Sequence, residues 1–359
     1  MATLQIHTDQ IIGNIKKLNE FLKPRGIEWT LVTKIMNGYK PALEKILRDP
    51  SIDQLHSIGD SRISNLKVIK EVRPDIVTIY IKPPAINQAK NVIRYADISL
   101  NSSFETIKEL NLQAEKQGKI HKVIIMIEMG ELREGVVRDN ILNFYEKIFQ
   151  MANISVIGIG TNLGCMYGVE PTFDKLIQVS LYKQLIEKSF GVKLELISSG
   201  SSITLPLVTM NKIPKGVTHF RIGEAAFLGV SPYDGKKFRN LSTNAFDFSA
   251  EIVEVEKKEV VPDGNIGEGA VGVTAEYESI KYNESYRAIV DFGELDVDHT
   301  HLMLKDKTIN FVGTTSDMTV YDVGQKKSKY NVGQQLHFSP GYMAIARLTN
   351  SKYMTKTIL

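Results

Sequence analysis

Between residue 25 and about residue 230, short β-rich runs alternate eight times with amphipathic segments, and no other feature limits the fold of this chain so strongly. The runs are Ile27–Thr33, Gln54–Ile58, Asp75–Ile81, Tyr95–Leu100, Lys122–Glu128, Ile154–Thr161, Leu194–Ser198 and His219–Ile222. Between them, segments such as Pro41–Arg48, Ser61–Glu71, Ala85–Tyr95, Phe104–Gln117, Asn140–Met151 and Phe173–Phe190 carry apolar residues at helical spacing, with Lys or Glu interspersed. The alternation predicts an α/β protein built on a (β/α)8 barrel of the TIM type. In such a barrel the strands are buried and the reactive groups stand at their C-terminal ends.

After about residue 240 the pattern becomes one of alternating runs, including Ala250–Val255, Arg287–Phe292, Thr308–Val312 and Gln335–Phe338, separated by Gly, Asp and Asn turns, with no convincing helix. The expected organisation is a barrel over 1–240 and a C-terminal β-domain over 241–359, with the boundary near Tyr233–Thr243. Hydrophobic residues at 43% and charged residues at 24% fit a soluble globular enzyme and exclude a disordered or fibrous chain. No apolar run approaches the roughly 18 residues of a membrane span. The opening MATLQIHTDQIIGNIKKLNEF lacks a signal peptide's uninterrupted apolar stretch, so a cytoplasmic protein is expected. A single cysteine, Cys165, excludes an intrachain disulfide and a Cys-based zinc site. A net charge of +3 with scattered lysines makes nucleic acid and anionic membranes poor partners.

The expected strand ends are polar or glycine. EWTLVT runs directly into Lys34, and a lysine ending a buried apolar strand is costly unless it is paired or used. One use is as a nucleophile toward an aldehyde, because desolvation lowers the amine's pKa. The alternative is a lysine that snorkels to the barrel rim. The seventh run ends in Ser198–Ser199–Gly200–Ser201–Ser202 and the eighth in Arg221–Ile222–Gly223–Glu224. Loops after these strands in barrels frequently bind phosphate through backbone N–H groups and hydroxyls. Arg221 would point into the same mouth, where facing a pyridine nitrogen it would leave that nitrogen unprotonated; pairing with Glu224 is the structural alternative. Arg133, within Glu128–Gly135, would either grip a carboxylate through its planar fork or lie in a solvated mixed-charge loop. The run Gly158–Ile159–Gly160–Thr161–Asn162–Leu163–Gly164 lacks the spacing of a dinucleotide loop.

Several stretches in one order resemble the fold-type III pyridoxal 5'-phosphate (PLP) enzymes, the alanine racemase-like superfamily, and within it the ornithine racemase-like amino-acid racemases. They are Val32–Thr33–Lys34, Gly59–Ile63, Gly130–Gly135, Gly158–Leu163, Ser199–Ser202, Arg221–Gly229, and Val312–Gly313 through Asp317 to Asp322–Val323, so the resemblance runs through nearly the whole chain. It implies PLP held as a Schiff base on Lys34, with Arg221 at the pyridine nitrogen. It implies phosphate ligands in Ser201 and Gly223, with Ser199, Gly200 and Glu224 beside them. Asn162 would stand by the ring where alanine racemases carry a histidine, and Arg133 would approach cofactor and substrate. Tyr39, one residue later than usual, and Tyr342, in Ser339–Tyr342, would join the cofactor site. Ser316 and Asp317 would act in trans, from the β-domain of the second subunit of a homodimer with shared active sites.

The chain departs from that pattern in two places. Glu294, in Asp291–Asp296, falls where alanine racemases carry the tyrosine that serves as second base; Asp298, His299, His301 and Tyr277 are further candidates for that role. Met126 stands where many alanine racemases carry a carbamylated lysine. The implied activity is racemisation of a small-molecule amino acid. Lys34 would be the base on one face of the flat imine and a partner-subunit group the acid on the other. Glu294, Asp296 and Asp298 would suit a basic side chain such as that of ornithine or lysine. The competing readings are a PLP-dependent decarboxylase, against which Arg221 argues, and a D-amino-acid aldolase or dehydratase. The aldolases need a metal-binding His and Cys pair that is not visible here, and no metal is expected. A non-catalytic PLP homeostasis protein would lack the β-domain.

Overall fold

The apolar run after Glu28 is buried on both faces, as a strand in the wall of a closed barrel has to be. The computed structural model describes residues 2–265, 272–274, 282–326 and 330–359, and the chain divides into two units. One is Asp9–Thr243; the other combines Met1–Thr8 with Asn244–Leu359. Strand β1 is Thr3–Ile6. The barrel strands are β2 (Glu28–Val32), β3 (Ser57–Asp60), β4 (Thr78–Tyr80), β5 (Ile98–Asn101), β6 (His121–Met126), β7 (Ile154–Gly160), β8 (Leu196–Ser201) and β9 (His219–Ile222). They pair in chain order, all parallel, and β9 closes on β2.

Helices between the strands form where the sequence supplies caps and a single apolar stripe. Phe104–Lys116 begins after Ser103, whose side chain accepts from the Thr106 N–H, and it buries Ile107, Leu110 and Ala114. Phe173–Phe190 is capped by Thr172 and stops at Gly191 in the left-handed conformation. Inside the barrel, Ile79, Ile98, Leu100, Ile124, Met126, Ile157 and Leu196 form a buried cluster. Each such side chain contributes about 1.5–3 kcal/mol by leaving water. The glycines of β7 have a packing cause: a Cβ at Gly158 would lie 2.7 Å from the Leu196 carbonyl oxygen and one at Gly160 2.6 Å from that of Ser198.

The second unit holds β10 (Phe246–Glu259), β11 (Val273–Thr274), β12 (Glu284–Val290), β13 (Leu302–Leu304), β14 (Asn310–Thr314), β15 (Thr319–Gly324), β16 (Gln335–Pro340) and β17 (Thr355–Ile358). Their order in the sheet is β11-β14-β15-β12-β10-β1-β17, with β16 also on β10 and β13 on β16. Phe248, Phe292, Phe338 and Tyr321 meet at ring separations of 5.3 to 5.7 Å and make its aromatic core.

Two details differ from the sequence reading. Strand β1 pairs antiparallel with β10 and parallel with β17, so the first residues of the chain, read as part of a barrel over 1–240, join the β-unit, and the division falls at 243/244. Tyr342–Asn350 is a helix where none was expected; it buries Ala344, Ile345, Leu348 and Thr349 over only nine residues. Among the described residues no helix is long and apolar enough to cross a membrane.

Candidate active site

Strand β9 lies between β8 and β2, with Arg221 paired to Ser201 on one side and Ile222 to Leu31 on the other. The ends of these three strands therefore form one arc of the barrel's C-terminal rim. Gly223, the next residue after β9, sits against Val32, where a Cβ would come within 3.1 Å of the Val32 carbonyl oxygen. Lys34 opens a 3-10 turn that runs to Met36, and Asn37 follows in the left-handed conformation. The Tyr39 N–H donates to the Met36 carbonyl at 2.8 Å, which keeps Tyr39 close to the turn. Lys34 is exposed rather than buried with the apolar strand before it, because it belongs to the turn and not to the wall. Burial pushes the Glu224 carboxyl up, and the Lys34 charge opposes that rise, so the two interact across the rim.

Arg221 is buried, and every acceptor it meets is neutral. Its Nη1 donates to the Ser198 carbonyl (2.6 Å) and Oγ (2.5 Å), and its Nη2 donates to the Thr161 carbonyl (2.8 Å) and Asn162 Oδ1 (2.6 Å). The pairing with Glu224 considered from sequence is not what holds it. Burial brings the guanidinium down to about 10. Beneath it, His219 lies between Ser198 Oγ (2.8 Å) and Thr30 Oγ1 (2.9 Å), and burial drives its pKa well below the ordinary value. A neutral imidazole thus supports the serine that supports the arginine.

The loops after β6 and β7 are held together by carboxylates. Glu131 is buried and accepts from the backbone N–H groups of Cys165 (2.9 Å), Tyr167 (2.9 Å) and Val169 (2.8 Å). Glu128 accepts from Gly130 (2.6 Å) and Leu132 (3.0 Å). Glu134 receives Arg133 through Nε and Nη2, the latter at 2.6 Å, and receives the Asn162 amide on the same oxygen as Nη2. The solvated mixed-charge loop considered from sequence is instead an anchored one. Its residues Glu131 and Glu134, and Asp60 at the end of β3, were missed as functional candidates. The one available signal was the density of carboxylates between Gly130 and Gly135.

In the second unit, the backbone N–H groups of Glu294 and Leu295 donate to the carbonyls of Thr315 and Ser316, each at 2.9 Å, which sets Glu294 beside Ser316 and Asp317. Glu294 Oε1 lies 3.0 Å from His299 Nδ1, and Glu294, Asp298 and His299 form one cluster. Asp317 is exposed and accepts from Ser316 Oγ at 3.1 Å. Burial raises the Asp296 carboxyl, and Asp291 and Asp317 raise it further, so acidic charge is concentrated there. Tyr342 begins the helix after β16, and Met126 is packed in the barrel core. Tyr277 lies outside the described residues.

The barrel residues fit PLP. Ser199 Oγ, within β8 and short of its last residue Ser201, is buried with no hydrogen-bond partner, a hydroxyl left uncommitted in the serine run. An amine, hydroxyls, a glycine backbone and an acceptor-locked guanidinium on one arc are the donor set that a phosphate-bearing aldehyde requires.

Fold and rim together define a parallel (β/α)8 barrel whose C-terminal rim carries Lys34, Gly223 and the end of the serine run. Residues 6–232 match the family model described as alanine racemase, N-terminal domain. An ornithine racemase from Acetoanaerobium sticklandii is 30% identical over 357 residues, 99% of each chain. A lysine racemase from Thermotoga maritima is 30% identical over 353 residues, 98% of this chain and 97% of that one. Among solved structures, alanine racemase from Bartonella henselae with covalently bound pyridoxal phosphate superposes with a TM-score of 0.74 at 16% identity, covering 100% of this chain and 99% of that one. Alanine racemase from Streptomyces coelicolor gives 0.72 at 14% identity, covering 100% and 98%. The chain belongs to the alanine racemase family.

Proposed function

We propose that this protein is a PLP-dependent amino-acid racemase acting on a basic amino acid such as ornithine or lysine. The observation that carries the reading is the single arc on which Lys34, Gly223 and the Ser199–Ser201 run meet above the buried Arg221. The relatives named as ornithine and lysine racemases support the substrate class. When bound, PLP supplies an aldehyde that condenses with the substrate amine and a ring that draws electrons from Cα. Lys34 anchors the cofactor and moves the Cα proton on one face. Ser199, Gly200, Ser201 and Gly223, with the Glu224 backbone, Tyr39 and Tyr342, hold the phosphate. Arg221 presents a permanent charge to the pyridine nitrogen, which weakens the ring as an electron sink and suits a reaction that returns the proton. Asn162 flanks the ring, and Arg133 receives the substrate carboxylate.

Glu294 is the acid and base for the opposite face, with His299 as its partner; two groups are needed because one lysine reaches one side of a planar carbon. Asp296 and Asp298 with Glu294 supply the negative charge that suits a cationic side chain, and Ser316 and Asp317 bind the substrate, acting across a homodimer so that each β-unit completes the partner's site. The test is the absorption spectrum of protein reconstituted with PLP, together with exchange of the substrate Cα proton in deuterated water. A visible band and exchange that both vanish in Lys34→Ala are expected. A band that survives the substitution would overturn the assignment of Lys34.

A further inference from the structure

Between Arg133 and Arg221 stands a carboxylate that the proposed chemistry does not use. Arg133 presents Nε and Nη2 to the two oxygens of Glu134, a bidentate pair, and its Nη1 is directed to Cys165 Sγ at 2.5 Å. The Glu134 side chain is 11% exposed, so this pairing is not a loose surface contact. Asn162 then joins the two arginines: its Nδ2 donates to Glu134 and its Oδ1 accepts from Arg221 Nη2 at 2.6 Å. An amide has one donor end and one acceptor end. A carboxylate accepts only and a guanidinium donates only, so Glu134 and Arg221 between them anchor both ends of the Asn162 amide, the nitrogen on the one and the oxygen on the other.

Two consequences follow. With Glu134 filling the Nε–Nη2 fork, the edge of Arg133 left for another carboxylate is the one bearing Nη1. The loop that carries both residues is fixed as well, since Glu131 takes three backbone N–H groups from the loop after β7 and Glu128 takes two from its own. The array is therefore set in the protein before any substrate arrives.

We infer that Glu134 is a positioning residue that selects the edge of Arg133 offered to the substrate carboxylate and, through Asn162, the orientation of the group beside Arg221. The inference rests on the reading of Lys34 and Arg221 as cofactor residues. A glutamine at this position carries no charge and offers only one oxygen, so it cannot hold the arginine fork and also compel the Asn162 amide.

The test compares wild type, Glu134→Gln and Glu134→Asp as PLP-loaded proteins. Three quantities are measured: kcat and KM separately, the position of the Lys34-dependent absorption band, and the thermal midpoint. Glu134→Gln should raise KM about tenfold or more, the loss of one charge-assisted pairing, with a smaller change in kcat. The band should shift, and Glu134→Asp should recover part of both effects. Kinetics within about twofold of wild type, on the same scale, and an unmoved band would overturn the inference and leave the assignment of Lys34 intact. A lowered thermal midpoint with KM and band unchanged would also overturn it, by showing a structural role alone. If the wild-type band persists in Lys34→Ala, the reading of the site fails, and the inference fails with it.

Discussion

Thr33, the residue immediately before Lys34, donates its hydroxyl to Asp60 Oδ2 at 3.0 Å, and Asp60 has no exposed surface. The other oxygen of Asp60 accepts from the Arg62 N–H and from Asn65 Nδ2, each at 3.0 Å. Burial pushes this carboxyl up, and the donors work against that rise. The end of β2 is thereby tied to the end of β3. Asp60→Ala removes the acceptor that these three donors share and should cost about 2–4 kcal/mol in chemical denaturation. Asp60→Asn should recover part of that. A loss below about 1 kcal/mol, the value of one ordinary hydrogen bond, would show that the tie does not hold the strand end.

Glu131 should act as a pH-dependent staple between the loops after β6 and β7. Burial works to raise its carboxyl, and the N–H groups of Cys165, Tyr167 and Val169 outweigh that and hold it below the ordinary range. A lowered folded pKa means that the stabilisation is complete above the unfolded value of about 4.3 and is lost as pH falls through the folded one. Glu131→Gln should lose about 1–3 kcal/mol at neutral pH, with a gap from wild type that narrows in acid. Urea titrations at several pH values check this, and a gap constant down to low pH would contradict it.

Histidines in the barrel should make the fold acid-sensitive over a higher window. Burial lowers His121 to about 4, and it lowers His56 and His219 as well. Such groups stay neutral in the folded state and take up protons on unfolding, so stability falls as pH drops from about 6.5 toward the folded values. His121 alone accounts for about 3 kcal/mol across that range. His121→Asn should flatten the stability slope between neutral pH and pH near 5; an unchanged slope would remove His121 from the account.

If Glu294 serves the face opposite Lys34, Glu294→Gln should lose about a hundredfold in racemisation. It should still exchange the Cα proton of the enantiomer that faces Lys34. Proton NMR in deuterated water separates the two, and equal loss of both would assign the second base elsewhere.

The barrel was legible because its evidence is local: each strand is a short apolar run, and each end, Lys34, Ser199–Ser201 and Arg221–Glu224, is a break in that run. What escaped depends on distance or on the backbone. Thr3–Ile6 becomes a strand by pairing with Phe246–Ser249 and Thr355–Ile358, both far along the chain. Tyr342–Asn350 is too short to display much periodicity beside β16. Glu131, Glu134 and Asp60 read as ordinary charges because partners that matter to them are main-chain N–H groups or side chains brought near by folding, Asn162 in the case of Glu134. Arg221 is the reverse case: its position was readable, but its four neutral acceptors were not.

Lys34 is the residue on which the proposed racemisation of basic amino acids depends. Purified PLP-loaded protein should be incubated with single enantiomers of ornithine, lysine and alanine, and the products resolved by chiral chromatography, with Lys34→Ala in parallel. Ornithine or lysine should lose optical purity well ahead of alanine, and neither should lose it with the variant, if the proposed Lys34-dependent racemisation is right. Retained optical purity with release of carbon dioxide or an aldehyde, or racemisation that survives in Lys34→Ala, would contradict it.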